Sequence, residues 1–260
     1  MTIHFQRYLT LVIALLFFAS ANSQCEFERE DEIYMSSYTK SVTFFEGENI
    51  LISRLGSCIS SQVERADCNG NLIWQTLLPN YYGFANNVTV NDFDSTIIAV
   101  GVDLQADDFP MPALAKLFIL SKAGSIVKEI RFTIDSVITT GISSPSLGFT
   151  DVVVASPSVM YALLENNVLK IDTGGNLLGK VYAGTTVNSI RYDAVNSQLI
   201  VFTNNGIQFY DDNLNLLSTS FAGTGYVKGL PLGGFYFLQT TTDSIEKVDA
   251  GWSKVDSVYS

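Results

Sequence analysis

The 260 residues carry 26 acids against 15 bases, a formal net charge of −11, with 47% hydrophobic and only 16% charged residues. A chain this apolar has enough nonpolar surface to build a large core, which excludes disorder. Its acid excess works against nucleic acid and anionic membrane surfaces as partners and leaves sugars, peptides, cations or other proteins.

In chain order, the first element is a signal peptide. Arg7 precedes residues 9–19 (LTLVIALLFFA), an apolar run too short to span a bilayer comfortably, and Ala21 and Ser23 are small residues placed for cleavage before Gln24. The expected location is therefore secreted: extracellular, cell-surface or periplasmic. Cleavage of residues 1–23 removes Arg7 and no acid, so the net charge moves from −11 to −12. Gln24 directly before Cys25 does not fit a lipoprotein signal, and no second long apolar stretch follows, so no transmembrane anchor is expected after cleavage. Residues 24–41 lead into the main domain, 42–260. In the lead, 32–38 is a strand-like stretch with Ile33 and Met35 alternating.

Cys58 and Cys68 flank a strand connection and are expected to form a disulfide in an oxidising compartment. Cys25 either pairs with one of them or stays free and buried. With no histidine near, three cysteines make a poor metal site.

Five segments align without gaps: 66–74 (ADCNGNLIW), 120–128 (LSKAGSIVK), 171–179 (IDTGGNLLG), 210–218 (YDDNLNLLS) and 248–256 (VDAGWSKVD). Each runs from an apolar residue through a turn-forming cluster to Asn or Ser and a mostly apolar strand. Gly and Asn tolerate positive φ at least cost, so each segment is expected to be a β-hairpin. Strand-like runs precede the hairpins, as in 187–192, 198–203 (QLIVFT) and 206–210 of the fourth unit, and give four short strands per unit. No stretch holds a helical period. The expected fold is all-β, a β-propeller of about five four-stranded blades. It closes into a ring if 32–38 pairs with the last strand, and otherwise remains an incomplete, open arc.

The hairpin in 66–74, apolar then Asp, turn residues, Gly, and Asn-apolar-apolar-Trp, resembles blades of quinoprotein-like and WD40-like secreted bacterial β-propellers. The export signal, early cysteine and degenerate blades are also similar to the N-terminal regions of type IX secretion cargo proteins, although no sorting tail stands before Ser260. The resemblance implies architecture and brings neither activity nor cofactor residues.

The single histidine, His4, lies in the signal peptide, so the mature chain has no imidazole for a triad, a general base or a metal. No cofactor is expected. Carboxylates at Asp92, Asp94, Asp103, Asp107 and Asp108 leave a glycoside-active enzyme as the alternative reading, but the Ser-x-Asp-x-Gly-x-Thr-Trp boxes and arginine cluster of sialidase-like propellers are missing. The segment 211–215 (DDNLN) reads as a hairpin turn, because it lacks the glycine and distal glutamate of a calcium loop. Asn87-Val88-Thr89 matches a glycosylation acceptor.

The extra chain length falls in 55–62, 79–85, 103–115 and 133–148, connections that share one face of a four-stranded meander. They carry Tyr81, Tyr82, Phe84, Asp107, Asp108, Phe109 and Met111, a set that suits a protein or glycan ligand if the aromatics point outward and interblade packing if they point in. The function expected is thus a non-catalytic binding or scaffold module.

Overall fold

The structure is a computed structural model that describes residues 39–45, 49–55, 60–67, 69–82, 85–103, 114–133, 148–220, 226–232, 235–240, 245–249 and 254–259. The expected signal peptide 1–23, all three cysteines and the candidate closing stretch 32–38 lie outside the described residues.

The described chain is all-β and forms five four-stranded antiparallel sheets, each a meander in chain order. Sheet one holds β1 (Thr39–Phe45), β2 (Asn49–Leu55), β3 (Ser60–Ala66) and β4 (Leu72–Tyr82). Sheet two holds β5 (Ala85–Asn91), β6 (Thr96–Asp103), β7 (Leu114–Leu120) and β8 (Ile126–Thr133). Sheet three holds β9 (Phe149–Ser156), β10 (Val159–Leu164), β11 (Asn167–Asp172) and β12 (Leu177–Tyr182). Sheet four holds β13 (Val187–Asp193), β14 (Gln198–Thr203), β15 (Gly206–Tyr210) and β16 (Leu216–Ser220). Sheet five holds β17 (Tyr226–Leu232), β18 (Phe235–Thr240), β19 (Ile245–Asp249) and β20 (Lys254–Tyr259).

Three boundaries differ from the sequence expectation. Residues 79–82 belong to β4 and leave only 83–84 as the connection to β5. Ser60 pairs with Tyr82 and Gln62 with Leu77, so 78–81 bulge from an outer strand, where Pro79 costs little ladder bonding. The first strand of sheet two, β5, hides in the polar text ANNVTVN, where only Val88 and Val90 alternate. Finally, β16 begins at Leu216, because the turn before it extends through Asn215.

Burial explains why the second strands read as continuous apolar runs. In β10 and β14 almost every side chain is buried, whereas β12 and β16 are mostly exposed. A strand buried on both faces needs a sheet against each, and the clusters supply them. Leu51, Val63, Ile97 and Phe118 join sheets one and two, Ile98, Leu117, Met160 and Leu169 join two and three, and Tyr161, Val168, Ile190 and Leu199 join three and four. The first strands meet in chain order, β1 with β5, β5 with β9, β9 with β13 and β13 with β17.

The repeated hairpin turn has one hydrogen-bond pattern. Gly70 N donates to Asp67 O (3.0 Å), Gly124 N to Ser121 O (2.9 Å), Gly175 N to Asp172 O (2.9 Å) and Leu214 N to Asp211 O (2.9 Å). The fourth residue of each turn has positive φ, at 80°, 85°, 89° and 63°. Three of the four are glycine, and the fourth is Leu214.

Contacts with the preceding sheet account for the difference. A Cβ on Gly124 would stand 2.8 Å from the Trp74 ring, and one on Gly175 would stand 3.1 Å from Ile130 Cγ2. At Leu214 the facing residue is Gly179, which leaves room, and Leu214 Cδ1 lies 3.5 Å from where a Gly179 Cβ would be. Leu214 is buried in the core between sheets three and four, and that burial, on the order of 2 kcal/mol, offsets a left-handed strain of roughly 1–2 kcal/mol. Side chains of the preceding sheet also donate into these turns: Trp74 Nε1 to Lys122 O (3.2 Å), Lys128 Nζ to Gly174 O (2.6 Å) and Lys170 Nζ to Asp212 O (2.6 Å).

In three turns the opening Asp receives the closing Asn twice, at both the backbone N–H and the side-chain amide: Asp67 with Asn71, Asp172 with Asn176, Asp211 with Asn215. The Asn side-chain bond is the leading cause that holds all three carboxyls below their ordinary value of 3.8. A depressed folded-state pKa gives stabilisation that is present above the ordinary value and lost as pH falls through the lowered one. Melting temperature should therefore drop more steeply below pH 4 in the native chain than in the triple Asp67→Asn, Asp172→Asn, Asp211→Asn variant. Parallel acid limbs would refute this role for the carboxylates.

Candidate binding face

The start of every first strand carries a bulge at one equivalent place. Register skips a residue between Thr39 and Ser41, Ala85 and Asn87, Val187 and Ser189, and Tyr226 and Lys228, and between Phe149 and Asp151 opposite Leu164 and Leu163. The residue after each bulge is polar: Ser41, Asn87, Asp151, Ser189 and Lys228. Bulges re-aim side chains, and here Ser41, Asn87 and Asp151 each tie a sheet to the sheet that follows.

Between sheets one and two, Ser41 Oγ accepts from Val88 N (3.0 Å). Between two and three, Asn86 Nδ2 donates to Phe149 O (2.9 Å) and Asn87 Nδ2 donates to Asp151 Oδ1. Between three and four, Asp151 Oδ2 accepts from Ile190 N (2.9 Å) and from Arg191 Nη1 (3.3 Å), while its Oδ1 accepts from Val152 N (2.9 Å). The Asp151 side chain is only 5% exposed, so its charge is stable there because four donors converge on it. This collar binds the first strands together at one end.

The long connections lie at that end. Strand direction alternates, so 56–59, 104–113, 83–84 and 134–148 all leave the sheets where the first strands begin. Residues 103 and 114 pair directly, as do 85 and 101, so the strand ends that flank 83–84 and 104–113 are at the same end of sheet two. Of the expected ligand residues, Tyr81 and Tyr82 are placed at the end of β4. Their side chains, and Phe84, Asp107, Asp108, Phe109 and Met111 entirely, lie outside the described residues. The shorter connection 183–186 is fixed by its neighbours: Ala183 N donates to Asn166 O (2.9 Å), and Val187 N to Asn166 Oδ1 (3.1 Å).

The opposite end is built of tight turns. Both Asp211 oxygens are engaged within the turn, by Asn213 N and Asn215 N on Oδ1 and by the Asn215 amide on Oδ2, so 211–215 is a hairpin turn. Asp212 accepts the Tyr192 hydroxyl (2.9 Å), and Tyr192 stacks on Tyr161 with centroids 5.9 Å apart. Burial, with Asp212 beside them, pushes both phenols upward and keeps them neutral donors. Asp92 and Asp94 sit in the β5–β6 turn at this same end, where Asp94 caps Thr96 N (2.9 Å). No group of three or more metal-ligating side chains is found among the described residues.

The acceptor pattern at Asn87 has a structural use. Its amide nitrogen, the atom a glycan would occupy, donates to Asp151 inside the collar. The collar itself was missed in the sequence, because Ser41, Asn87 and Asp151 are far apart in the chain and each reads as an ordinary strand-end polar residue. Their shared signal is a polar residue two after the start of each first strand.

No protein-family model matches the sequence, and a search of curated proteins finds no match. The chain is similar in structure to a protein of unknown function from Bacteroides caccae, with a TM-score of 0.64, 14% identity, and coverage of 85% of this chain and 81% of that one. At that identity the likeness concerns fold alone. Among the described residues no helix is long and apolar enough to cross a membrane.

Proposed function

We propose that the chain is a secreted β-propeller of five blades that acts as a non-catalytic binding module, contacting a glycan or protein through its loop-rich face. The observation that carries this reading is the asymmetry between the two ends: the long connections 104–113 and 134–148 join strand ends at the end locked by the collar, while the described connections at the other end are tight turns. Long loops on a rigid repeat scaffold are where binding surfaces are built. Ring closure gains support from sheet one. Ile52 and Ala66 lie on its face turned away from sheet two, yet they are 2% and 5% exposed, so that face is covered as well. The export signal motivates the location outside the cell.

A glycan array run beside a panel of chromogenic glycosides tests the reading on the mature chain from Gln24. Binding without turnover is expected, weakened at least tenfold by alanine at Tyr81, Tyr82, Phe84 or Phe109. Turnover abolished by Asp107→Ala or Asp108→Ala would overturn it in favour of a carboxylate enzyme.

A further inference from the structure

Arg191 lies on β13, paired across the sheet with Ile200 and, through it, with Phe209, on the face turned away from sheet three. Its Nη1 nonetheless reaches back to Asp151 of sheet three (3.3 Å) and also donates to its neighbour's carbonyl, Ile190 O (2.6 Å). Ile190 N donates to Asp151 as well, so both polar groups of Ile190 point away from β14. The guanidinium therefore wraps over the free edge of β13, on the side where the first strands of successive sheets meet. Through Asp151 the guanidinium is tied to the collar.

Both bonds fall on one nitrogen. Nε–H and Nη2–H donate to no group among the described residues, and the side chain stays 23% exposed. Those two N–H groups are parallel and coplanar, the fork that grips a carboxylate with two hydrogen bonds. Two bonds already fix the guanidinium, so little side-chain freedom is lost on binding. Asp151 engages the guanidinium at Nη1 alone, because its oxygens also accept Ile190 N, Val152 N and the Asn87 amide. At the equivalent positions Ser41, Asn87 and Ser189 are neutral, and Lys228 takes that position on β17. The five collar positions thus hold one acid and one base, with Arg191 beside them as a second base, in a chain where acids outnumber bases 26 to 15.

We propose that Arg191 anchors a carboxylate subsite at the axial side of the loop-rich end, and that its ligand is an acidic sugar of the uronic-acid type. One fork in an otherwise strongly acidic protein suits a single carboxylate among neutral hydroxyls; a polyacidic peptide meets repulsion from the remaining surface. This rests on the binding-face reading and names its ligand class.

The probes are methyl glucuronide, methyl glucoside and a short glutamate-rich peptide, titrated into the mature chain by calorimetry and NMR. Saturable binding of the glucuronide is expected, with the glucoside and the peptide each at least tenfold weaker, and with the Arg191 Nε–H resonance moving only for the glucuronide. Arg191→Lys, which keeps the charge and loses the fork, should weaken glucuronide at least tenfold with an unchanged melting temperature. If that variant does not fold, the wild-type Nε–H resonance decides the matter alone. Equal affinity for glucoside, tighter binding of the peptide, or a motionless Nε–H resonance would overturn the subsite. A neutral glycan that binds through the loops and is retained by Arg191→Lys would remove this inference and leave the binding face standing. Glucuronide held by Arg191 with no dependence on any loop residue would do the reverse.

Discussion

Asp151→Ala should be among the most damaging single substitutions in the molecule, lowering stability by about 3–5 kcal/mol. Its carboxylate closes the gap between sheets three and four with Ile190 N and Arg191 Nη1 and the gap to sheet two with the Asn87 amide. Removing it strands the buried Ile190 N–H, whose penalty comes in full where no water replaces the lost partner, and leaves the partly exposed Arg191 guanidinium without its counter-charge. Asp151→Asn keeps one acceptor and the shape, and should cost about half as much. Denaturant melts of both variants check this. A loss under about 1 kcal/mol for Asp151→Ala would show that the collar is ornamental to stability.

Gly124→Ala should cost about 3 kcal/mol, for two separable reasons. The residue has φ of 85°, where an L side chain loses roughly 1–2 kcal/mol, and its new Cβ would stand 2.8 Å from the Trp74 ring. The ring cannot move freely, because Trp74 Nε1 donates to Lys122 O and the adjacent Thr76 hydroxyl donates to Gly124 O (2.6 Å). In a Trp74→Ala background the same change should cost only the left-handed part. Gly179→Ala is the control. Its Cβ meets nothing nearer than Leu214 Cδ1 at 3.5 Å, an ordinary contact, and stability should hold within about 0.5 kcal/mol. Thermal melts of the three variants measure the ordering, and equal effects at Gly124 and Gly179 would refute the idea that each turn is fitted to the sheet before it.

The fitted turn shows why part of the fold was legible and part was not. Asp, Gly and Asn at fixed offsets mark the 66–74 and 171–179 hairpins because the pattern is local: a carboxylate caps the turn, a residue with positive φ reverses it, and the Asn amide closes it. Strands such as QLIVFT were equally plain, since burial on both faces demands an unbroken apolar run. β5 was hidden because Asn86 and Asn87, two of its three asparagines, bond to sheet three, so their polarity came from contacts that no local pattern reports. Leu214 at a glycine-type position makes sense only beside Gly179, which lies in the preceding sheet.

The candidate site divides in the same way. Tyr81, Tyr82, Phe84, Asp107, Asp108 and Phe109 were found through the length and composition of their connections, a property of sequence. The strand order then set the strand ends that bound those connections at one end of sheet two. Arg191 gave no such signal, because its significance lies in which nitrogen is occupied and which edge it crosses, both fixed by Asp151 some forty residues away.

The amino-acid sequence by itself determined the all-β class, the four-strand unit, the hairpin turns and the end at which chain length accumulates. Periodicity and turn chemistry act over a few neighbouring residues, so they are written locally. Tertiary structure alone decided the matching of each turn to the preceding sheet, the collar from Ser41 to Asp151, and the placement of the Arg191 fork over the edge of β13. These depend on residues brought together across sheets, where burial makes every unmet hydrogen bond and every unfilled or overfilled space count.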